Sequence, residues 1–269
     1  MPYFEYLMES DEETIRLDLK TDPKVVEQQA LWAGIKPGMR VADLGYGSGK
    51  TSYYLYKLVQ PKGEVVGVDI ADERIKYAKK YYNKKGIEYV RRDIRDRLDD
   101  LGFFDFIWVR FVLEYHRSKS FDIVKNISRI LKPGGILCLI DLDYNCLSHF
   151  GLSKKLNNAL KGMMKSLEHA ADFDPYVGIK LYSFLYDLGY KDINACLAPH
   201  HLIFGKLKEN DAFNWMKKLE VAVKKSRYHF SEYEGGYEEF LEECKRFFTN
   251  PRRFTYTPVI SCRGVKPAA

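Results

Sequence analysis

Val41-Ala42-Asp43-Leu44-Gly45-Tyr46-Gly47-Ser48-Gly49 decides how this chain of 269 residues folds. An apolar run ends in a carboxylate, a glycine-rich turn follows at once, and the turn enters a helix-like stretch, Lys50 to Val59. Glycines at Gly45, Gly47 and Gly49 let the backbone turn tightly and come close to a ligand, because no Cβ stands in the way. Free N–H groups at the start of the next helix favour a polar or anionic ligand group. The pattern is a small-molecule cofactor site on an α/β sheet, and three cofactors compete for it.

A dinucleotide fingerprint, G-x-G-x-x-G, would put its third glycine at position 50, where Lys50 stands. Gly49-Lys50-Thr51 has the ending of a phosphate-binding loop, but that register needs glycine at position 44, which is Leu44. Asp43 argues the same way: a carboxylate at the loop mouth repels phosphates and suits a cation. S-adenosylmethionine carries both a sulfonium and an ammonium. The D-x-G-x-G-x-G pattern resembles the first motif of the class I S-adenosylmethionine-dependent methyltransferases.

Spacing downstream strengthens the likeness. A second apolar run, Glu64 to Ile70, ends in Asp69, 20 residues past Gly49. A carboxylate at a strand's end beside the glycine loop is placed to accept hydrogen bonds from ribose hydroxyls. A third run, Ile87 to Ile94, ends in Asp93, the position that takes the adenine amino group in that family, with the Ile94 backbone N–H reaching a ring nitrogen. A fourth, Phe104-Asp105-Phe106-Ile107-Trp108-Val109-Arg110, resembles the family strand with its leading Asp, and Leu113-Glu114-Tyr115-His116 follows where relatives carry a Leu-Glu-His-like turn. Leu131-Lys132-Pro133-Gly134-Gly135 then breaks a helix and launches a fifth strand, Ile136 to Ile140. From Val41 to Asp143 the chain is similar to the methyltransferases grouped with the ubiquinone/menaquinone-biosynthesis enzymes, many of which act on small molecules. The resemblance implies S-adenosylmethionine as cofactor, with Asp43, Gly45, Tyr46, Gly47, Gly49, Asp69, Ile70, Asp93, Ile94 and Arg110 around it. Tyr46 is a departure, standing where relatives have a small residue. Its ring is expected either to leave the loop or to lie over the methionine end.

Met1 to Ala33 reads as helical, with Pro23 after Asp22 starting a second helix. In related enzymes such a segment lies over the methyl donor, which makes Arg16 a partner for the methionine carboxylate. Strands and helices then alternate to about Asp143, so the strands are parallel with right-handed crossovers and ligands bind beyond their carboxyl ends. Later come helices at Lys154 to Ala170 and Tyr176 to Leu188, a strand at Ile193 to Phe204, and a helical insertion at Glu209 to Phe248 broken near Gly235-Gly236. The last strand, Phe254 to Cys262, runs antiparallel between two others in the family, and Pro258 inside it requires a bulge. The expected fold is α/β: a Rossmann-like, seven-stranded, mostly parallel sheet in a single domain. Residues 1–33 form an N-terminal helical cap, 34–143 the cofactor-binding core, and 144–269 a substrate-side cap with the insertion and last strand.

No run approaches the ~18 apolar residues of a membrane span, and the start has no charged-then-apolar leader, so a cytoplasmic protein is expected. The five cysteines, an odd number with no C-x-x-C spacing, read as reduced packing residues rather than a disulfide or metal framework. The net charge of +6 invites a nucleic-acid reading. Yet the basic runs at Lys76 to Lys85, Arg91 to Arg97 and Lys217 to Lys225 are mixed with acids or helically spaced, as on solvated helix faces. No Asn/Asp-Pro-Pro-aromatic motif and no Pro-Cys nucleophile follows the fourth strand, so the resemblance does not support methylation of nucleic-acid bases.

A small-molecule acceptor is expected, of aromatic or apolar character given the aromatic second half, from Tyr176 through Trp215 to Phe248. Two alternatives stand beside it: an RNA- or protein-directed enzyme of the same fold, and a protein that only binds the cofactor. Candidate bases at the mouth are Glu114, Tyr144, His149, His200 and His201, of which none is singled out. Strand alternation puts His200 and His201 on opposite faces.

Overall fold

The computed structural model describes residues 13–268. The reading of Met1 to Glu12 as helix lies outside them. Two helices lead, α1 (Glu13–Lys20) and α2 (Pro23–Ala33). The start of α2 is set as its sequence predicts: the Asp22 side chain accepts the Lys24 N–H at 2.9 Å, Pro23 takes the first turn, and Gly34 ends it at φ 99°. Strand and helix then alternate through β1 (Arg40–Leu44), α3 (Lys50–Val59), β2 (Glu64–Asp69), α4 (Asp72–Tyr81), β3 (Ile87–Arg91), β4 (Phe104–Arg110), α5 (Ser120–Ser128) and β5 (Leu131–Leu142). The five strands are parallel in the order β3-β2-β1-β4-β5.

Neighbouring strand order reverses between β1 and β4, and a crevice opens beyond their carboxyl ends at such a point. Both faces of the sheet are covered, so its central residues Phe104, Phe106, Ile107 and Trp108 have no exposure. One face packs on α5 and α7 (Leu181–Asp187), the other on α2, α3 and α4. Asp105, the leading acid of β4, is a clamp. It accepts the Arg40 N–H at 2.8 Å and the Lys132 ammonium at 2.7 Å, pinning the start of β1 and the entry to β5.

Beyond β5 the described chain adds β6 (His149–Phe150), α6 (Lys154–Ala170), α7, β7 (Lys191–Phe204), α8 (Glu209–Ser226), α9 (Gly236–Thr249) and β8 (Phe254–Val265). The expected helix from Tyr176 is a short 3-10 turn, Val177–Lys180, running into α7. The fifth strand starts at Leu131, earlier than expected, because Lys132 to Gly135 form an irregularity opposite Phe104 and Phe106 rather than a break. The sheet of the described residues has eight strands against the expected seven; the extra one, β6, is a two-residue pairing with Phe254 and Thr255. As expected, the last strand runs antiparallel between two others, β5 and β7. Helices α6, α8 and α9 enclose their own cluster, in which Met163, Trp215, Phe230, Phe240 and Phe247 are buried. None of the described helices is long and apolar enough to cross a membrane.

The bulge expected at Pro258 falls on its partner. Pro199 stands opposite Pro258 and neither has an N–H to give, so the ladder slips: His201 pairs with Thr257 and His200 is left as the extra residue. That slip overturns the expectation of opposite faces, for the His200 and His201 rings lie 4.3 Å apart.

Tyr46 takes neither of the two expected courses. Its ring turns under the glycine loop, is 4% exposed, and packs 5.0 Å from the Tyr89 ring. Room for it comes from Gly67 in β2: a Cβ there would stand 2.8 Å from Tyr46 Cδ1 and 3.1 Å from Tyr89 Cδ1. Gly67→Ala should therefore cost about 1–3 kcal/mol through overpacking, and Tyr46→Ala about 3–5 kcal/mol through the cavity it leaves. The double variant should lose less than the sum, because the removed ring frees space for the new methyl group. Urea unfolding measures the cycle; strict additivity would mean the two positions do not compete for one volume.

Candidate functional site

The loop between β1 and α3 is held by its glycines. Gly45 (φ 78°) and Gly49 (φ 88°) lie in the left-handed region, and their faces are blocked: a Cβ at Gly45 would meet Val112 Cγ2 at 2.4 Å, one at Gly49 would meet Ala78 Cβ at 2.5 Å. Gly47 donates its N–H to Asp69 Oδ2 at 3.0 Å, tying the loop to the end of β2. Helix α3 opens at Gly49 with no side-chain cap from that residue. From the other side α1 closes over the loop, with Lys50 Nζ donating to the Asp18 carbonyl at 2.8 Å and Tyr82 donating to the Asp18 carboxylate. A Cβ at Gly47 would meet Leu17 Cδ1 at 3.1 Å.

These elements surround a cleft of about 1250 Å³, counted out to its open mouth. Of the expected cofactor residues, Arg16, Gly45, Tyr46, Gly47, Asp69, Ile70, Asp93, Ile94 and Arg110 line it, while Asp43 and Gly49 do not. Several side chains already have partners. Asp69, 4% exposed, accepts the Gly47 N–H, the Ala71 N–H at 3.1 Å and the Arg74 guanidinium at 3.3 Å, which uses three of about four acceptor sites. Asp93 is clasped by Arg95 through Nε at 2.9 Å; burial pushes its carboxyl up, and that pairing pulls it below the usual carboxylate range. Arg16 is held bidentately by Glu13 at 2.6 and 2.7 Å. Arg110 donates to Gln29 at 3.1 Å and lies 4.1 Å over the Phe111 ring; burial lowers its guanidinium to about 10, against the pull of Asp43 and Asp141.

Asp43 sits beneath the loop, 2% exposed, and accepts the Ser52 hydroxyl at 2.7 Å. Burial lifts its carboxyl to about 7, with the Asp69 charge adding to the rise and the Ser52 hydrogen bond and Arg110 opposing it.

A second chamber of about 480 Å³, also counted to its mouth, meets the cleft at Arg16, Lys20, Glu114 and Tyr115, which line both. Its far walls come from β5 and the segment after it (Leu142, Asn145, Cys146), from α6 (Met164, Leu167) and from α8 (Lys218, Ala222), with Phe173 beside them. Of the candidate bases, Glu114 and His200 reach the cleft. Glu114 accepts from Asn145 Nδ2 at 2.8 Å, and burial raises its carboxyl although Lys218 and Lys20 pull it back. The Glu114 N–H donates to the Asp141 carboxylate at 3.2 Å, and burial with Glu114 nearby raises Asp141 as well. Burial holds His200 and His201 well below the usual imidazole range. His149 is structural: Nδ1 pairs with Thr255 at 2.9 Å, Nε2 with the Cys146 carbonyl at 3.0 Å, and three aromatic rings surround it. Tyr144 is half exposed, edge-on to Tyr176, and lines neither chamber.

Sequence reasoning passed over Lys20, Arg74, His116 and Lys218. The run Lys217 to Lys225, read as a solvated face, has one member turned inward. Lys218 lies three residues after buried Trp215 and four before buried Ala222, on the apolar side of α8, and its ammonium is buried. That spacing was the available signal. Most aromatic residues of the second half are cap core, and of its described Phe, Tyr and Trp side chains only Phe173 lines a chamber. Tyr46, Phe111 and Tyr115 line the cleft, and Tyr115 and Phe173 the second chamber.

The methyltransferase domain family matches residues 42–139. The chain is 31% identical over 113 residues to a ubiquinone/menaquinone biosynthesis C-methyltransferase of Ectopseudomonas mendocina, a match over 40% of this chain and 44% of that protein. It thus spans less than half the length of this curated relative. The fold is shared with the YcgJ protein of Bacillus subtilis (TM-score 0.57, 14% identity, 92% of this chain and 100% of that one). It is also shared with Haemonchus contortus phosphoethanolamine N-methyltransferase 2, solved with S-adenosyl-L-methionine (TM-score 0.53, 15% identity, 91% of this chain and 53% of that one). The residues present fit such a cofactor: a loop whose Cβ positions are filled by neighbours, acids at the ends of β1 and β2 and just after β3, and no phosphate-type cradle of cations on the loop.

A raised Asp43 makes ligand binding depend on pH with a definite sign. In the unliganded protein its contribution to stability is fully present below the unfolded value near 4 and is lost as pH rises through about 7. A cationic ligand favours the ionised form, so binding expels a proton below about pH 7. Affinity for S-adenosylmethionine should climb from about pH 5.5 to about pH 7 and then level, and Asp43→Asn should flatten the climb. Calorimetry in buffers of different ionisation heat measures the proton; equal heats at about pH 6 would remove Asp43 from the linkage.

Proposed function

We propose that this chain, whose residues 42–139 match the methyltransferase domain family, is a class I S-adenosylmethionine-dependent methyltransferase that transfers a methyl group to a small-molecule acceptor held in the second chamber. The observation that carries this reading is the junction: a cofactor-type cleft and a cap-walled chamber share Arg16, Lys20, Glu114 and Tyr115. When bound, S-adenosylmethionine supplies an electrophilic methyl group on a sulfonium, so no separate activation of a leaving group is required.

On this reading each residue has a task. Asp69 and Asp93 receive hydroxyl and amino donors with the lone pairs left after Arg74 and Arg95 are served. The Ile94 amide and Ile70 flank the same end. Asp43, beneath the loop, favours a cation above it, and Arg16, fixed by Glu13, faces the ligand's carboxylate end. The cap excludes water and holds the acceptor in line, with reacting atoms about 3–3.5 Å apart. Enclosure of the chamber by α6 and α8 favours a small acceptor over a nucleic acid or a folded protein. Glu114, at the junction, is the group placed to take a proton from the acceptor. The cysteines are free, which supports a reduced cytoplasmic setting.

The test is single-turnover transfer of labelled methyl from S-adenosylmethionine to a panel of small acceptors, run on the natural chain and on Ala222→Trp. Filling the chamber should cut transfer by about a hundredfold or more while S-adenosylhomocysteine affinity stays within about threefold. Full transfer by the filled variant, or transfer to RNA or protein alone, would contradict the reading.

A further inference from the structure

The second chamber is apolar on most of its wall but holds more cationic than anionic groups. Arg16, Lys20 and Lys218 meet there with a single carboxylate, Glu114. Glu13, 1% exposed, binds Arg16 bidentately and settles that charge. The remaining three, Lys20, Lys218 and Glu114, set two amines against one carboxyl. Lys218 Nζ is buried with no hydrogen-bond partner among the described residues; its neighbour is the Trp215 ring at 5.6 Å. Lys20 Nζ rides 5.6 Å over the Phe111 ring. The Glu114 carboxylate, meanwhile, is turned to Asn145 at 2.8 Å.

An ammonium out of water without a partner is destabilising unless something supplies the missing charge. The walls around it, Leu142, Met164, Leu167 and Phe173, offer dispersion contacts and no acceptor. Resting on the methyltransferase reading above, we infer that the acceptor is a compact molecule with an apolar or aromatic body and one carboxylate-class anion, which docks on Lys218 with Lys20 beside it. The anion sits at the α8 wall, since Lys218 lines the chamber and not the cleft. The other end of the molecule then points to the junction at Tyr115 and Glu114, where the methyl group is received. Charge at the far end thus orients the acceptor, and a neutral molecule of equal shape loses both the pairing and the orientation. The direction of the Lys20 shift agrees: burial first, then the Lys218 charge, push its ammonium well below the usual range against the pull of Glu114.

The experiment uses the full chain saturated with S-adenosylhomocysteine and three probes of one shape, benzoate, benzamide and benzylamine, titrated by ligand-observed NMR. Benzoate should bind at least about tenfold more tightly than benzamide, and benzylamine most weakly. Lys218→Met should reduce the benzoate preference to less than about threefold, and Lys218→Arg should keep it, with S-adenosylhomocysteine affinity unchanged in both. A second readout needs no ligand: Lys218→Met should raise the melting temperature of the unliganded protein, because it removes a buried ammonium with no hydrogen-bond partner among the described residues. Benzamide or benzylamine binding as well as benzoate, no benzoate binding at millimolar concentration, a preference surviving in Lys218→Met, or a lowered melting temperature would each overturn the inference. Failure to bind S-adenosylhomocysteine would instead strike the methyltransferase reading, and a benzoate preference in that protein would still uphold the charged chamber.

Discussion

The hydrogen bond from the Gly47 amide to the Asp69 carboxylate joins the two parts of the chain on which the site depends. It fixes the loop after β1 against the end of β2, and the loop cannot relax elsewhere because Val112 and Ala78 fill the space next to Gly45 and Gly49. Asp69 is in turn held by Ala71 and Arg74, so the acid at the strand end is positioned before any ligand arrives. Sheet order does the rest. With β1 and β4 adjacent and parallel, the residues that follow them, from Gly45 onward and from Phe111 onward, open into the same crevice.

In and around this fixed floor lie several buried groups with shifted titration. Asp43, Glu114 and Asp141 are acids raised by burial, while Lys20, His200 and His201 are bases lowered by it. Burial displaces groups of both signs toward their neutral forms. Perturbed titration gathers where a ligand binds more often than where a fold is merely held together.

Much of the floor was legible in the sequence, because its constraints are local. Glycine at left-handed positions, an acid at the end of a strand and Pro23 after Asp22 each state their geometry within a few residues. Several departures come from contacts made over longer range. Tyr46 was expected to leave the loop or to lie over the methionine end, since the pocket that takes its ring is made by Gly67, 21 positions later and on another strand. His200 and His201 lost their alternation because two prolines on different strands, Pro199 and Pro258, face each other across the ladder. Lys218 sat inside a basic run, and only its spacing from Trp215 and Ala222 separates it from the solvated lysines around it. The pairing of Asp93 with Arg95 and of Arg16 with Glu13 was adjacent in sequence, but nothing in the residue types said which polar group would be satisfied internally.

The most direct test of the account is a calorimetric titration of the full chain with S-adenosylmethionine, NAD and ATP under identical conditions. Asp43 beneath the loop and the missing third glycine of a dinucleotide fingerprint predict one site per chain for S-adenosylmethionine, with NAD and ATP weaker by about a hundredfold or more. Tight binding of NAD or ATP with no signal from S-adenosylmethionine would contradict it.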